Sequence, residues 1–194
     1  MIISKFQRNR ENVIFRQNSH KREPNSPNPW RRKDRNNLKD ESIRIVKLLY
    51  PYSRNKIRNM VSTPKLHMLD TGLAAFLTGW TSPEVLMNGA MAGAFFESWC
   101  VAEILKSYVN AGESTSFYYY RDKDKNEIDL VIEREGKIYP VEFKKAATVS
   151  KADVKRFNKL SNFNMPVGTG ALISLYPDAI LIKENVKAIP AFAL

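Results

Sequence analysis

The chain has 194 residues, of which 43% are apolar and 26% charged, and this is enough for one domain with a real hydrophobic core. Its formal net charge of +11 favours a polyanionic partner such as nucleic acid. The single cysteine excludes an internal disulfide framework, and one cysteine with two histidines argues against a structural zinc site. Because the sequence shows neither a signal peptide nor a bilayer-spanning apolar run, we expect a cytoplasmic protein with no membrane partner.

The first 42 residues differ in composition from the rest of the chain. They hold 11 basic and five acidic residues, few apolar ones, and the run SHKREPNSPNPWRRKDRNN. Such a segment cannot bury enough surface to offset the entropy of ordering, so we predict that residues 1–42 are a disordered basic tail. This tail is either an arm that holds nucleic acid or an unstructured leader left from a longer protein.

The apolar patterns that follow predict strands and helices. The run SIRIVKLLYPYS (42–53) is β-branched and aromatic, which is typical of a strand. Residues 64–80 predict an extended segment and then a short helix that Asp70 caps. A longer helix is predicted over 89–109, and Glu97 lies in the middle of its small and apolar stripe. Because an unpaired carboxylate in that stripe would be costly, Glu97 needs a partner such as a lysine or a metal ion.

Three strands are predicted next, over 116–122, 127–134 and 137–145. The polar KDKN and the pair Glu135-Gly136 connect them, so they should form an antiparallel meander. A helix is then expected to start near Ser150, with three inward-facing residues: Val154, Phe157 and Leu160. The apolar runs 170–176 and 179–194 predict at least one further buried strand.

The hairpin around Glu135-Gly136 brings charged residues together. With a two-residue turn, Asp129 lies opposite Glu142 and Glu127 lies opposite Lys144. All four side chains then share one face of the hairpin. The opposite face carries the apolar residues Ile128, Leu130, Ile132, Tyr139, Val141 and Phe143.

Two carboxylates that face each other across a sheet repel, and a divalent cation reverses that repulsion. The residues predict a Mg²⁺ (or Mn²⁺) site whose ligands are Asp129, Glu142 and the backbone carbonyl of Phe143. Lys144, on the same face, could orient the attacking water or stabilise phosphate charge. The alternative is an ordinary solvated surface, since Glu-x-Lys occurs by chance in many proteins.

Basic residues follow the hairpin. Lys151, Lys155 and Lys159 recur at helical spacing and, together with Lys145, are predicted to contact a nucleic-acid backbone. A solvated helix face is the alternative interpretation of the same stripe.

Four stretches carry a resemblance to a known family: PKLHMLDTGLAAFLTGW (64–80), GAFFESWCVAEIL (93–105), FYYYRDKDKNEIDLVI (117–132) and IYPVEFKKA (138–146). A helix that carries a glutamate, followed by an aspartate and Glu-x-Lys on a hairpin, is similar to the PD-(D/E)XK nuclease superfamily. More closely, the stretches resemble the C-terminal domain of unknown function of prokaryotic AAA-type ATPases. The resemblance implies an α/β fold with a restriction-endonuclease-like core, a central mixed sheet flanked by helices. It also implies four active-site positions: Glu97, Asp129, Glu142 and Lys144.

The resemblance further implies a domain order. Residues 43–63 would be the remnant of a winged-helix or linker segment, and residues 64–194 the nuclease-like domain. The chain has no Walker A loop, so we expect a truncated or rearranged product whose ATPase part is lost. The expected function is Mg²⁺-dependent cleavage of DNA or RNA. The alternatives are a non-catalytic module that binds nucleic acid or an ATPase partner, and an inactive remnant.

Overall fold

The computed structural model describes residues 45–53, 63–80 and 82–194. Residues from Ile45 to Leu194 form one compact unit. The basic tail predicted for residues 1–42 lies outside the described residues. No helix in the described ranges has the length and apolar character needed to cross a membrane.

Eight strands and three α-helices lie within the described part of this unit. The strands are β1 (Val46–Pro51), β2 (Lys65–Met68), β3 (Ser116–Arg121), β4 (Glu127–Arg134), β5 (Lys137–Lys144), β6 (Gly170–Ser174), β7 (Ile180–Lys183) and β8 (Val186–Pro190). The helices are α1 (Thr71–Leu77), α2 (Pro83–Asn88) and α3 (Ala92–Asn110), and two short 3-10 helices span Lys155–Asn162 and Ala191–Ala193.

The eight strands form one mixed sheet in the order β2-β1-β3-β4-β5-β6-β8-β7. Strands β3, β4 and β5 pair antiparallel, as the meander predicted, while β1 is parallel to β3, β5 to β6, and β6 to β8. The α/β fold class with a mixed sheet flanked by helices is therefore confirmed. Strand β1 lies in the segment predicted as a winged-helix remnant and is a strand of this same sheet, and that origin stays a prediction.

The described helices agree in part with those predicted from the sequence. Asp70 caps α1, since its carboxylate accepts a hydrogen bond of 2.9 Å from the Leu73 amide. Helix α2 was not predicted, although Ser82 caps it and Pro83 occupies its first turn. The helix expected after Ser150 is a 3-10 helix over Lys155–Asn162 instead, and its buried residues Phe157 and Leu160 lie one 3-10 turn apart.

Two apolar clusters cover the two faces of the sheet. The first packs α3 on the sheet through residues such as Cys100, Val101 and Ile104, which meet Leu130 and Val141. The second packs the 3-10 segment on the sheet through Val154, Phe157 and Leu160, as predicted, against Val131 and Ile138 among others.

A β-bulge interrupts β4 at Asp129 and Leu130. Tyr118 pairs with Val131 while Tyr120 pairs with Ile128, so two residues of β4 face Tyr119 alone. The bulge corrects one expectation: Ile128 belongs to the cluster under the 3-10 segment, whereas Leu130 packs under α3, so these two do not share a face.

The buried 3-10 segment yields a stability prediction. Leu160 is 0% exposed, so Leu160→Ala should leave a cavity and lower the free energy of unfolding by about 2–5 kcal/mol. Urea denaturation measures it. The exposed neighbour Lys155→Ala is the control and should change stability by less than about 0.5 kcal/mol. Equal effects of the two substitutions would show that the segment is not part of the core.

Candidate metal and nucleic-acid site

Strand direction brings the charged residues to one end of the sheet. Strands β3 and β5 run parallel to β1 and finish at this end, whereas β2 and β4 run the other way and start there. Lys65 is the first residue of β2, Glu127 the first of β4, and Lys144 the last of β5. The hairpin register is as predicted, from Arg134 opposite Lys137 to Leu130 opposite Val141.

Lys65 lies among three carboxylates. Its ammonium nitrogen is 2.9 Å from Glu97 Oε1 and 3.6 Å from Asp129 Oδ1, and it contacts Glu127 Oε1. Burial by itself would lower the pKa of Lys65, but Glu97 and the other two carboxylates outweigh it and raise that pKa. The sequence required a lysine or a metal ion as partner for Glu97, and the partner in this structure is a lysine.

Asp129 and Glu142 are both buried, and both have a raised pKa. Burial, and then the charge of Glu97, raise the pKa of Asp129 to about 6. Burial, and then the charge of Asp129, raise the pKa of Glu142 to about 8, against the opposing effect of Arg156. The like-charge pair predicted from the register is thus an electrostatically unfavourable pair of buried carboxylates.

Glu142 is the less satisfied of the two acids. Its side chain is 12% exposed, and its Oε1 accepts a hydrogen bond of 3.3 Å from Arg156. Its Oε2 is buried and has no hydrogen-bond partner among the described residues. Asp129, in contrast, accepts a 3.0 Å hydrogen bond from the Phe143 amide. The Phe143 peptide thus contacts Asp129 through its N–H, and a metal contact by its carbonyl stays a prediction.

Lys144 is held by a carboxylate outside the predicted set. Its ammonium donates to Asp153 Oδ1 at 2.8 Å, and Asp153 also accepts from the Ser150 amide at 2.7 Å. Burial would raise the pKa of Asp153, but the hydrogen bond from Lys144 lowers it. Lys144 therefore has an internal anion in this structure, and a role toward water or phosphate stays a prediction.

The basic residues are arranged differently from the expected stripe. Residues four apart on a 3-10 helix lie about 120° apart, so Lys155 and Lys159 do not line up as they would on an α-helix. Lys151 precedes this helix, and Lys145 donates to the Met87 carbonyl. Nucleic-acid contact by these four lysines stays a prediction, and Arg156 joins them as a basic residue that the sequence did not single out.

No three His, Cys, Asp or Glu side chains converge as a metal ion requires anywhere in the described ranges. The residues nevertheless suit a cation, since two buried acids have raised pKa values and Glu142 Oε2 has no partner there. Mg²⁺ takes one or two carboxylates and keeps several waters, so Asp129 and Glu142 are a sufficient pair.

Comparisons with known proteins identify the family. The pattern described as "Domain of unknown function (DUF4143)" matches residues 92–194. The chain belongs to the DUF4143 family. Residues 41–84 of this DUF4143 chain also match the pattern described as "Domain of unknown function (DUF8612)". No solved structure matches the chain.

Two uncharacterized mycobacterial proteins are similar to this DUF4143 chain. One is from Mycobacterium bovis and one from Mycobacterium tuberculosis, and each is 24% identical over 147 residues. The match covers 76% of this chain and 32% of either relative. The chain thus spans about a third of the length of the curated relatives it matches.

The raised pKa of Glu142 yields a pH prediction. The folded protein keeps a proton on Glu142 that the unfolded chain, with a pKa near the ordinary 4.5, has already lost. The resulting stability is present below about pH 4.5 and is lost as the pH rises through about 8. Without divalent cations, the free energy of unfolding should therefore fall toward alkaline pH.

Glu142→Gln isolates this contribution. In the natural protein, the free energy of unfolding measured by urea denaturation should fall between pH 6 and pH 9. We expect Glu142→Gln to make that fall smaller by about 1–3 kcal/mol. Glu103→Gln, which alters a glutamate on the outer side of α3 paired with Lys106, is the matched control. The same pH slope in the natural protein and in Glu142→Gln would contradict the assignment.

Proposed function

We propose that this DUF4143 domain is a Mg²⁺-dependent (or Mn²⁺-dependent) nuclease of PD-(D/E)XK type that hydrolyses phosphodiester bonds in the cytoplasm. The observation that carries the proposal is the buried pair Asp129 and Glu142, in which Glu142 Oε2 has no partner among the described residues. A sequence selected for stability alone would more readily place a lysine opposite a carboxylate. The pair is therefore better explained by a cation that belongs there.

Asp129 and Glu142 would hold the ion. When bound, such an ion lowers the pKa of a coordinated water and neutralises charge on the phosphate. The Phe143 amide fixes the Asp129 carboxylate through its 3.0 Å hydrogen bond, which keeps that carboxylate oriented before an ion arrives. Arg156 limits the movement of Glu142 from the other side.

Lys144 and Glu97 complete the proposed machinery. The side chain of Lys144 is one-third exposed, so its ammonium can exchange Asp153 for a phosphate oxygen, where its positive charge stabilises the transition state. Glu97 reaches the same end of the sheet from α3 and lies near Asp129, whose pKa its charge raises. Glu97 thereby adds to the negative field that attracts the cation.

The substrate class follows from charge. The chain carries a net charge of +11, and Lys145, Lys151, Lys155 and Lys159 follow the Glu-x-Lys strand. Lysines of this kind bind a sugar-phosphate backbone without reading its sequence, which suits DNA and RNA alike.

A second candidate function is a non-catalytic module of an ATPase. It is favoured by the internal ion pairs of the site, since Lys65 is paired with Glu97 and Lys144 is paired with Asp153. The resemblance to ATPase C-terminal domains, together with relatives of which the match covers only 32%, supports a partner domain elsewhere in such proteins. In this case the fold binds nucleic acid or a protein without turnover.

A cleavage assay tests the nuclease. Single- and double-stranded DNA and RNA are incubated with the full chain and Mg²⁺ or Mn²⁺, and products are resolved on denaturing gels. Asp129→Asn removes a cation ligand and Lys144→Ala removes a transition-state charge, so each should lower the rate by about 100-fold or more. Glu103→Gln should leave the rate unchanged. An inactive natural protein, or equal rates in all variants, would exclude the nuclease.

Salt dependence tests the basic surface separately. The logarithm of the nucleic-acid association constant should fall linearly with the logarithm of salt concentration, because each phosphate contact releases counterions. On duplex DNA, Lys155→Ala and Lys159→Ala should each reduce the slope by about 0.9. Lys106→Ala, on α3, should not alter it. An unchanged slope in both 3-10 helix variants would remove these lysines from the interface.

A further inference from the structure

Three carboxylates surround Lys65, and one of them, Glu127, lies outside the proposed nuclease site. Glu97, Glu127 and Asp129 all direct an oxygen at its ammonium, and Glu127 also contacts Arg121 through Oε2. Three carboxylates therefore share two cations, and Arg121 is the more exposed of these. One negative charge of this group is left uncompensated by its direct contacts.

His67 supplies an independent observation at the same place. Its side chain is 4% exposed, and its Nε2 is buried without a hydrogen-bond partner among the described residues. That nitrogen lies 3.9 Å from Glu97 Oε1, while Nδ1 lies 3.3 Å from Ser98 Oγ. A metal-binding histidine usually has this arrangement, with one nitrogen hydrogen-bonded and the other free for the ion.

We propose that Glu97, Glu127 and His67 form a second divalent-cation site, which borders Asp129 and which the Lys65 ammonium fills when no ion is bound. The role of this site in turnover rests on the proposed nuclease function. Cation binding itself does not, because Glu127, His67 and Lys65 lie outside the proposed nuclease residues and only Glu97 is shared. Oxygen ligands combined with an imidazole suit a transition ion such as Mn²⁺ better than Ca²⁺.

The spacing of the carboxylates agrees with an ammonium as the resident cation. Charge-assisted hydrogen bonds from nitrogen to oxygen are about 2.7–2.9 Å long, whereas Mg²⁺ to oxygen distances are about 2.0–2.1 Å. Glu97 Oε1 lies 2.9 Å from the Lys65 ammonium nitrogen, so the carboxylates would have to close in around a smaller ion that replaced the ammonium. The flexible stem of Lys65 allows the ammonium to leave toward solvent, since the side chain is 19% exposed.

Mn²⁺ binding to the full chain without nucleic acid tests the proposal. Free Mn²⁺ is measured by electron paramagnetic resonance during titration. Lys65→Met removes the charge and keeps an unbranched side chain that is one atom shorter, so it should raise Mn²⁺ affinity at least about tenfold. Lys106→Met removes an exposed lysine paired with Glu103 and should not change the affinity. Identical Mn²⁺ binding by Lys65→Met and the natural protein overturns the proposal.

Double variants locate the ion. In the Lys65→Met background, Glu127→Gln or His67→Phe should abolish the gain in Mn²⁺ affinity, while Glu142→Gln should leave that gain intact. With Ca²⁺ as the probe, His67→Phe should have little effect, since Ca²⁺ prefers oxygen ligands. A gain that survives Glu127→Gln and disappears with Glu142→Gln would place the ion at the nuclease site and overturn the second site.

A single variant keeps the test decisive if circular dichroism shows that Lys65→Met does not fold. Glu127→Gln alone should then weaken Mn²⁺ binding about tenfold, and unchanged binding overturns the second site. Failures of the two proposals are distinguishable. Raised Mn²⁺ affinity without cleavage excludes only the nuclease, whereas cleavage with Mn²⁺ binding that is insensitive to Lys65 and Glu127 excludes only the second site.

Discussion

The register of the hairpin formed by β4 and β5 is the constraint on which the candidate site depends. Glu135 and Gly136 both have positive φ, 51° and 69°, which is the turn geometry that matches the twist of two antiparallel strands. The register that this turn sets continues toward Asp129 and Glu142, and apolar packing on both faces of the sheet prevents a slip by one residue. The repulsion between the two acids is thus a consequence of the fold, maintained by the core.

That repulsion is relieved only in part by the protein's own cations. Lys65 stands between Glu97 and Asp129, and Arg156 reaches one oxygen of Glu142. Burial makes each carboxylate costly to ionise, so protonation is the remaining way to reduce the charge in the absence of an ion. A divalent cation would relieve the same repulsion, and this is the physical basis of the proposed metal dependence.

The local parts of this arrangement could be predicted from the sequence, and the long-range parts could not. The turn at Glu135-Gly136 and the cap at Asp70 depend on neighbouring residues, and both are confirmed. Lys65 lies 32 residues before Glu97, and only the pairing of β2 with β1 brings it to the site. The bulge in β4 is not visible in the sequence, where Ile128, Leu130 and Ile132 keep the alternation that predicts one buried face. The contact of Arg156 with Glu142 joins two elements whose packing the sequence does not specify.

The site also joins the two matched segments of the chain. Lys65 and His67 come from the segment 41–84, whereas the four carboxylates come from the DUF4143 segment 92–194. Without β2, the acids at the start of β4 would lose their principal internal cation, and the cost of their charge would rise. The two segments therefore act as one electrostatic unit: the second supplies the four carboxylates, and the first supplies the lysine that pairs with three of them.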